Sequence, residues 1–290
     1  VGLFGLSKTS GALPDFAALP VEKAIASLAA LPAARKNRAA ASVLYSARAR
    51  PSALDDQITL FDAIAALPDL APHHRANARI ARTHKALELG DDTRLSEGLA
   101  PLLALGDEIA AFSTSEDIRQ DRCHVGFSRA YVALNAALML GDAALLADLA
   151  TEAVALCRSQ LARPLPAGFY RSSANVMRCL AFALVSDRQE KEPAQAEEIA
   201  DLAQVVFSRA LDLRPPPGRR EKSRKVSSGI PMPDAEFMRT AALAQLLSQW
   251  ARSRGAERRA LSDMIGDLAV AQRTPNQRDR LRAAWQAQRQ

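Results

Sequence analysis

Apolar side chains recur along this chain at steps of three and four residues. Phe127, Tyr131, Leu134 and Leu138 form one such series; Ile199, Leu202, Val206, Ala210 and Leu213 form another; Leu243, Leu246, Leu247 and Trp250 a third. An α-helix makes one turn in about 3.6 residues, so each series falls in a single stripe along one helix. Few segments look like strands. The pattern predicts an all-α protein built of stacked antiparallel helical hairpins.

The joints of those hairpins are written as Gly-Asp pairs, most clearly in Leu138-Met139-Leu140-Gly141-Asp142 and again at Gly90-Asp91. Glycine adopts the left-handed conformation that ends a helix, and aspartate accepts from the first free amides of the next. Prolines supply further boundaries at Pro32, Pro51 and Pro68. The predicted helices cover about 21–31, 33–49, 53–66, 73–89, 92–104, 115–140, 143–161, 168–186, 195–213, 233–254, 256–272 and 276–290. Pro101 is an awkward late interruption of its helix, and Pro193 lies in a polar link.

Four regions follow: an irregular N-terminal leader at 1–20, a helical-repeat domain at 21–213, a basic Pro/Arg-rich loop at 214–232, and C-terminal helices at 233–290 that continue the stack. The second helices of successive pairs begin near 92, 143 and 195, about 51 residues apart, and a fourth begins near 256 after the loop. A fixed period of this kind marks an array of similar units.

Within that array Ala203, Phe207, Ala210 and Pro215 occupy the small, aromatic, small and proline positions of a tetratricopeptide (TPR) second helix. The stretch Ala210-Leu211-Asp212-Leu213-Arg214-Pro215 is similar to the end of such a repeat, and Leu140 and Ala153 fit the pattern around Gly141-Asp142. The chain thus resembles the TPR-like helical-repeat (α-solenoid) family over about a quarter of its length. It departs from that family in its longer period, in lacking the Trp-Leu-Gly start, and in Pro193. The resemblance implies a concave groove for peptides or proteins and no catalytic residues.

Composition supports helices: of 290 residues 48% are apolar, aromatics are only 5%, and alanine and leucine dominate. Charge adds something the stripes do not show. Residues 214–290 hold 16 Lys/Arg against 7 Asp/Glu, whereas 1–213 hold 22 against 25. The segment from Arg214 to Lys225 concentrates that excess, with three prolines and six cations, including Arg219, Arg220, Lys222, Arg224 and Lys225. It reads either as a contact for an anionic partner or as a solvated linker. Arginines continue beyond it, but only Trp250 and Trp285 accompany them, so stacking on single-stranded bases has little support.

Motifs for chemistry are weak. The opening Gly2-Leu3-Phe4-Gly5-Leu6-Ser7-Lys8-Thr9 has Ser7 where a phosphate-binding loop needs glycine, and no strand precedes it. It is also too short and glycine-broken for a signal peptide. His73, His74, His84 and His124 show no metal-ligand spacing with Cys123, Cys157 and Cys179, and three cysteines make no disulfide framework. No metal or cofactor is expected. The cysteine usage and the lack of a bilayer-length apolar run point to a soluble protein of a reducing compartment, cytoplasmic or in an organelle matrix.

The sequence therefore reads as a non-catalytic adaptor or structural subunit of a larger assembly. Its protein partner would lie in the groove near Arg129, Asn135, Arg171 and Asn175, on the first helices of the pairs. Two other readings stand beside it: an RNA- or DNA-associated protein using the Arg-rich quarter, and an all-helical enzyme with no recognisable motif.

Overall fold

Proline and the Gly-Asp pairs fix the helix ends as the sequence predicts. A computed structural model describes residues 13–106, 116–165, 167–186, 193–212, 234–270, 279–281 and 283. The helices are α1 (Val21–Ala29), α2 (Ala33–Tyr45), α3 (Leu54–Ala66), α4 (Pro72–Leu89), α5 (Asp92–Leu103), α6 (Glu116–Leu140), α7 (Ala143–Leu161), α8 (Ala167–Ser186), α9 (Pro193–Asp212), α10 (Asp234–Arg252) and α11 (Gly255–Val270). A 3-10 turn at Ala47–Ala49 follows α2, and no strand occurs among the described residues. The protein is all-α. No helix among those residues is long and apolar enough to cross a membrane.

Gly90 and Gly141 take φ of 75° and 70°, the left-handed region, at the ends of α4 and α6. Asp91 then accepts from the Arg94 amide and Asp142 from the Leu145 amide, both at 3.0 Å, closing the first turns of α5 and α7. Pro72 and Pro193 are the first residues of α4 and α9, where a missing N–H is harmless. Pro193 thus starts a helix rather than breaking a join. Pro101 lies inside α5, which runs on only to Leu103. The helix predicted at 33–49 stops at Tyr45, because Arg50 turns back to donate to the carbonyls of Val43, at 2.8 Å, and Leu44.

Each helix from α3 to α11 packs on the next, and α2, α4, α6, α8 and α10 also touch in succession, forming a row of even-numbered helices. Across the hairpins the register is antiparallel: Thr83 of α4 meets Gly98 of α5, Arg129 of α6 meets Glu152 of α7, and Trp250 of α10 meets Ser262 of α11. Helix α11 also packs on α8, a contact that a plain succession of hairpins would not make.

A large apolar cluster runs from Ile58 to Ile265, and a second around Phe61 and Ile64 unites α1, α2 and α3. Phe16, within the predicted leader, is 1% exposed and belongs to that second cluster. In α6 every residue from Val132 to Leu138 is buried, as is every residue from Val176 to Val185 in α8. Helices enclosed on all sides need small residues at their contacts, and Ala133, Ala136, Ala137, Ala174, Ala181 and Ala183 provide them.

Candidate functional site

The even-numbered helices leave a groove of about 240 Å³ between them. Leu44 and Tyr45 come from the end of α2, and Asn77, Ile80, Ala81 and His84 from α4. Phe127, Ser128, Tyr131 and Val132 come from α6, and Ser172 and Asn175 from α8. The steps of three and four within α4, α6 and α8 place each set on one helical face. Phe127 and Val132, exposed by 0% and 2%, make an apolar floor with Ile80. Hydroxyls, carboxamides and one imidazole form the walls. No Lys, Arg, Asp or Glu lines the groove among the described residues.

One end of the groove is organised by α2 and α4. The Asn77 carboxamide donates to the Tyr45 hydroxyl at 2.9 Å and to the His73 carbonyl at 2.9 Å. The Tyr45 hydroxyl oxygen lies 3.4 Å from His74 Nδ1. Burial, with the adjacent His73, pushes the His74 pKa down to about 4. His74 is therefore neutral near pH 7, and its Nδ1 can accept the tyrosine proton. On the other wall the His84 and Tyr131 rings sit 6.2 Å apart, and His84 Nδ1 lies 3.7 Å from Glu88.

The residues expected at the groove divide. Asn175 lines it, and its Oδ1 accepts from the buried Arg178 guanidinium. Asn135 is 2% exposed and donates to the Tyr131 carbonyl at 2.6 Å and to Cys179 Sγ at 3.4 Å. Its Oδ1 accepts no hydrogen bond among the described residues. Arg129 is turned away from the groove. Its Nε donates to the Leu102 carbonyl at 3.1 Å, its Nη2 to the Leu103 carbonyl at 2.9 Å, and its Nη1 to Glu152. Arg171 is a position on α8 whose side chain lies outside the described residues, as does the whole basic loop with Arg219, Arg220, Lys222, Arg224 and Lys225. The phosphate-loop-like opening and the side chains of Cys123 and His124 also fall outside them.

Sequence reasoning missed Tyr45, Asn77, His84 and Tyr131 as groove residues. The available signal was a second, half-polar stripe beside the apolar one: Asn77, Ile80, Ala81 and His84 recur with helical spacing just as the core positions do. Further along the chain, Arg258 stacks 4.3 Å from the Trp250 ring and donates to the Trp250 carbonyl at 3.4 Å. Exposed arginines at the α10–α11 corner are Arg252, Arg254 and Arg259. Cys157 and Cys179 are buried and outside any disulfide. No cluster of three or more His, Cys, Asp or Glu suited to a metal occurs among the described residues.

The floor of the groove is apolar, and its walls offer amide and hydroxyl groups. The chain matches no protein-family model, no curated protein and no solved structure.

Proposed function

We propose that the chain is a non-catalytic, TPR-like helical-repeat adaptor or structural subunit that holds an extended segment of a protein partner along its even-numbered helices. The observation that supports this reading is the uncharged groove crossing α2, α4, α6 and α8. Four alternate helices each contribute side chains to it, as expected where a partner runs across an array of hairpins. A cavity of about 240 Å³ suits one or two side chains of such a segment rather than a large cofactor. The buried thiols Cys157 and Cys179 suit the reducing compartment proposed for it.

Phosphate recognition fits this groove poorly, since no Lys or Arg lines it among the described residues. Two arginines of the basic quarter, Arg258 and Arg280, are engaged within the chain itself. A nucleic-acid role would therefore rest on the loop at 214–232 and on the α10–α11 corner.

The test is capture of partners by the full chain from its native cells, compared with Ser128→Arg and Ser172→Arg variants. Each variant sets a cation in a half-buried wall of the groove. Loss of the same co-purifying protein from both variants, with helix content preserved, is the expected result. Undiminished capture by both, or retention that disappears only when Arg219, Arg220, Lys222, Arg224 and Lys225 are neutralised, would overturn the reading.

A further inference from the structure

The helical faces that carry Tyr131 and Asn175 continue beyond the groove into a buried apolar cluster. Leu138 follows Tyr131 by seven residues on α6, and Phe182 follows Asn175 by seven on α8. Seven residues make about two helical turns, so these four side chains share one face. Leu138 and Phe182 are 4% and 3% exposed, and the chain's own Leu281, 2% exposed, packs in one cluster with them and Ala269. Beside it, Arg280 donates from Nη1 to the Gly90 carbonyl at 2.8 Å and from Nη2 to Asp92. A C-terminal Arg-Leu pair thus sits as a bound peptide would, its leucine in an apolar seat and its guanidinium on a helix corner. Between this seat and the open groove stands Asn135, four residues after Tyr131 and three before Leu138, with its buried Oδ1 lacking a donor among the described residues.

We propose that the face of α4, α6 and α8 is one docking track with two seats, and that Arg280 and Leu281 fill the far seat as an intramolecular ligand. A partner segment carrying a basic–apolar pair displaces them. The proposal rests on the groove reading above and adds the partner's chemistry and its competitor. Arg280 and Leu281 are themselves the model for that chemistry: the Gly90 carbonyl and the Asp92 carboxylate select a guanidinium or ammonium, and the Leu138–Phe182 seat selects an unbranched or γ-branched apolar side chain.

The probe is a fluorescent synthetic peptide with the sequence of residues 276–286, titrated by anisotropy against the full chain. Leu281→Ser in the full chain weakens the internal competitor, so the peptide should bind that variant about ten-fold more tightly than the natural chain. Arg280→Ala, which leaves the apolar cluster intact, should give a rise of a few-fold and guards against misfolding of the first variant. A peptide carrying serine in place of leucine should not bind, and adding Asp92→Ala to the Leu281→Ser chain should weaken binding of the natural peptide. Equal binding by all chains, or none, overturns the proposal. So does a shift from dimer to monomer on adding peptide, which would assign the occupant to a second copy. If these titrations fail while Ser128→Arg still abolishes partner capture, the groove reading stands and only the internal ligand is lost.

Discussion

Arg129 closes a helix to which it does not belong: its Nε donates to the Leu102 carbonyl at 3.1 Å, at the carboxyl end of α5. The neighbouring Leu103 carbonyl takes Nη2 at 2.9 Å. The last carbonyls of any helix lack intrahelical donors and carry partial negative charge, so a guanidinium placed there serves two acceptors and the dipole together. Arg50 does the same for α2, although burial lowers its pKa against the attraction of Glu88.

Replacing Arg129 by methionine keeps the apolar stem but strips both carbonyls of their donor. The expected loss is about 2–4 kcal/mol of stability, read from urea denaturation. Arg129→Lys should recover only part of it, because one ammonium cannot reproduce a fork that spans two carbonyls and Glu152.

Two glycines should fail for opposite reasons. At Gly141, with φ of 70°, an added Cβ meets nothing within 4 Å, so Gly141→Ala should cost about 1 kcal/mol through backbone strain alone. At Gly98 the same methyl would lie 2.7 Å from Thr83 Oγ1 and closer still to the Arg82 guanidinium. Gly98→Ala should lose about 1–2 kcal/mol net, although alanine favours helices. Thr83→Ala should relieve part of the second loss and none of the first, which a double-mutant cycle would show.

His74 makes stability depend on pH in a defined window. Its folded pKa of about 4 lies below the ordinary value of 6.5, so the neutral ring is the form that folding favours. Unfolded chains therefore bind the extra proton first as pH falls. The His74 contribution should be intact above pH 6.5 and lost progressively down to about pH 4, by about 1 kcal/mol after solvent screening. Urea midpoints for the natural chain and His74→Gln at pH 7 and pH 4.5 should differ in slope by that amount. A parallel pair would assign no such role to His74.

Asn135→Leu tests a buried polar group beneath the groove. The substitution removes a buried oxygen that has no donor among the described residues together with the Nδ2 bonds to the Tyr131 carbonyl and Cys179 Sγ, and keeps the branching at Cγ. Stability should stay within about 1 kcal/mol of the natural chain or rise. Partner capture should be unchanged, because Asn135 is 2% exposed and lies beneath the groove surface.

Much of the architecture was legible because its signals are local. Gly90-Asp91 and Gly141-Asp142 mark two corners through the conformations that each residue type prefers, and both corners form as read. The stripe containing Phe127, Leu134 and Leu138 is buried for the same reason, since spacing alone assigns a face. Arg129 bonds the Leu102 and Leu103 carbonyls besides Glu152, and backbone carbonyls leave no mark in a sequence. The link from Asn135 to Cys179 spans 44 positions, and periodicity within one helix carries no information about a neighbour's register. Asn175 was found at the groove, but Tyr45 was not, because it stands at the last residue of α2, where the helix had been expected to continue.

The bond from Arg280 to Gly90 joins positions 190 residues apart. At ribosomal rates of about 5–20 residues per second, the α4–α5 corner is synthesised roughly 10–40 s before its clasp. Once Phe182 has been added, in the second half of that interval, the seat beside Leu138 and Phe182 stands without its own leucine. A nascent chain would thus present both halves of the track to a partner already in place, and co-translational capture would precede any competition from within.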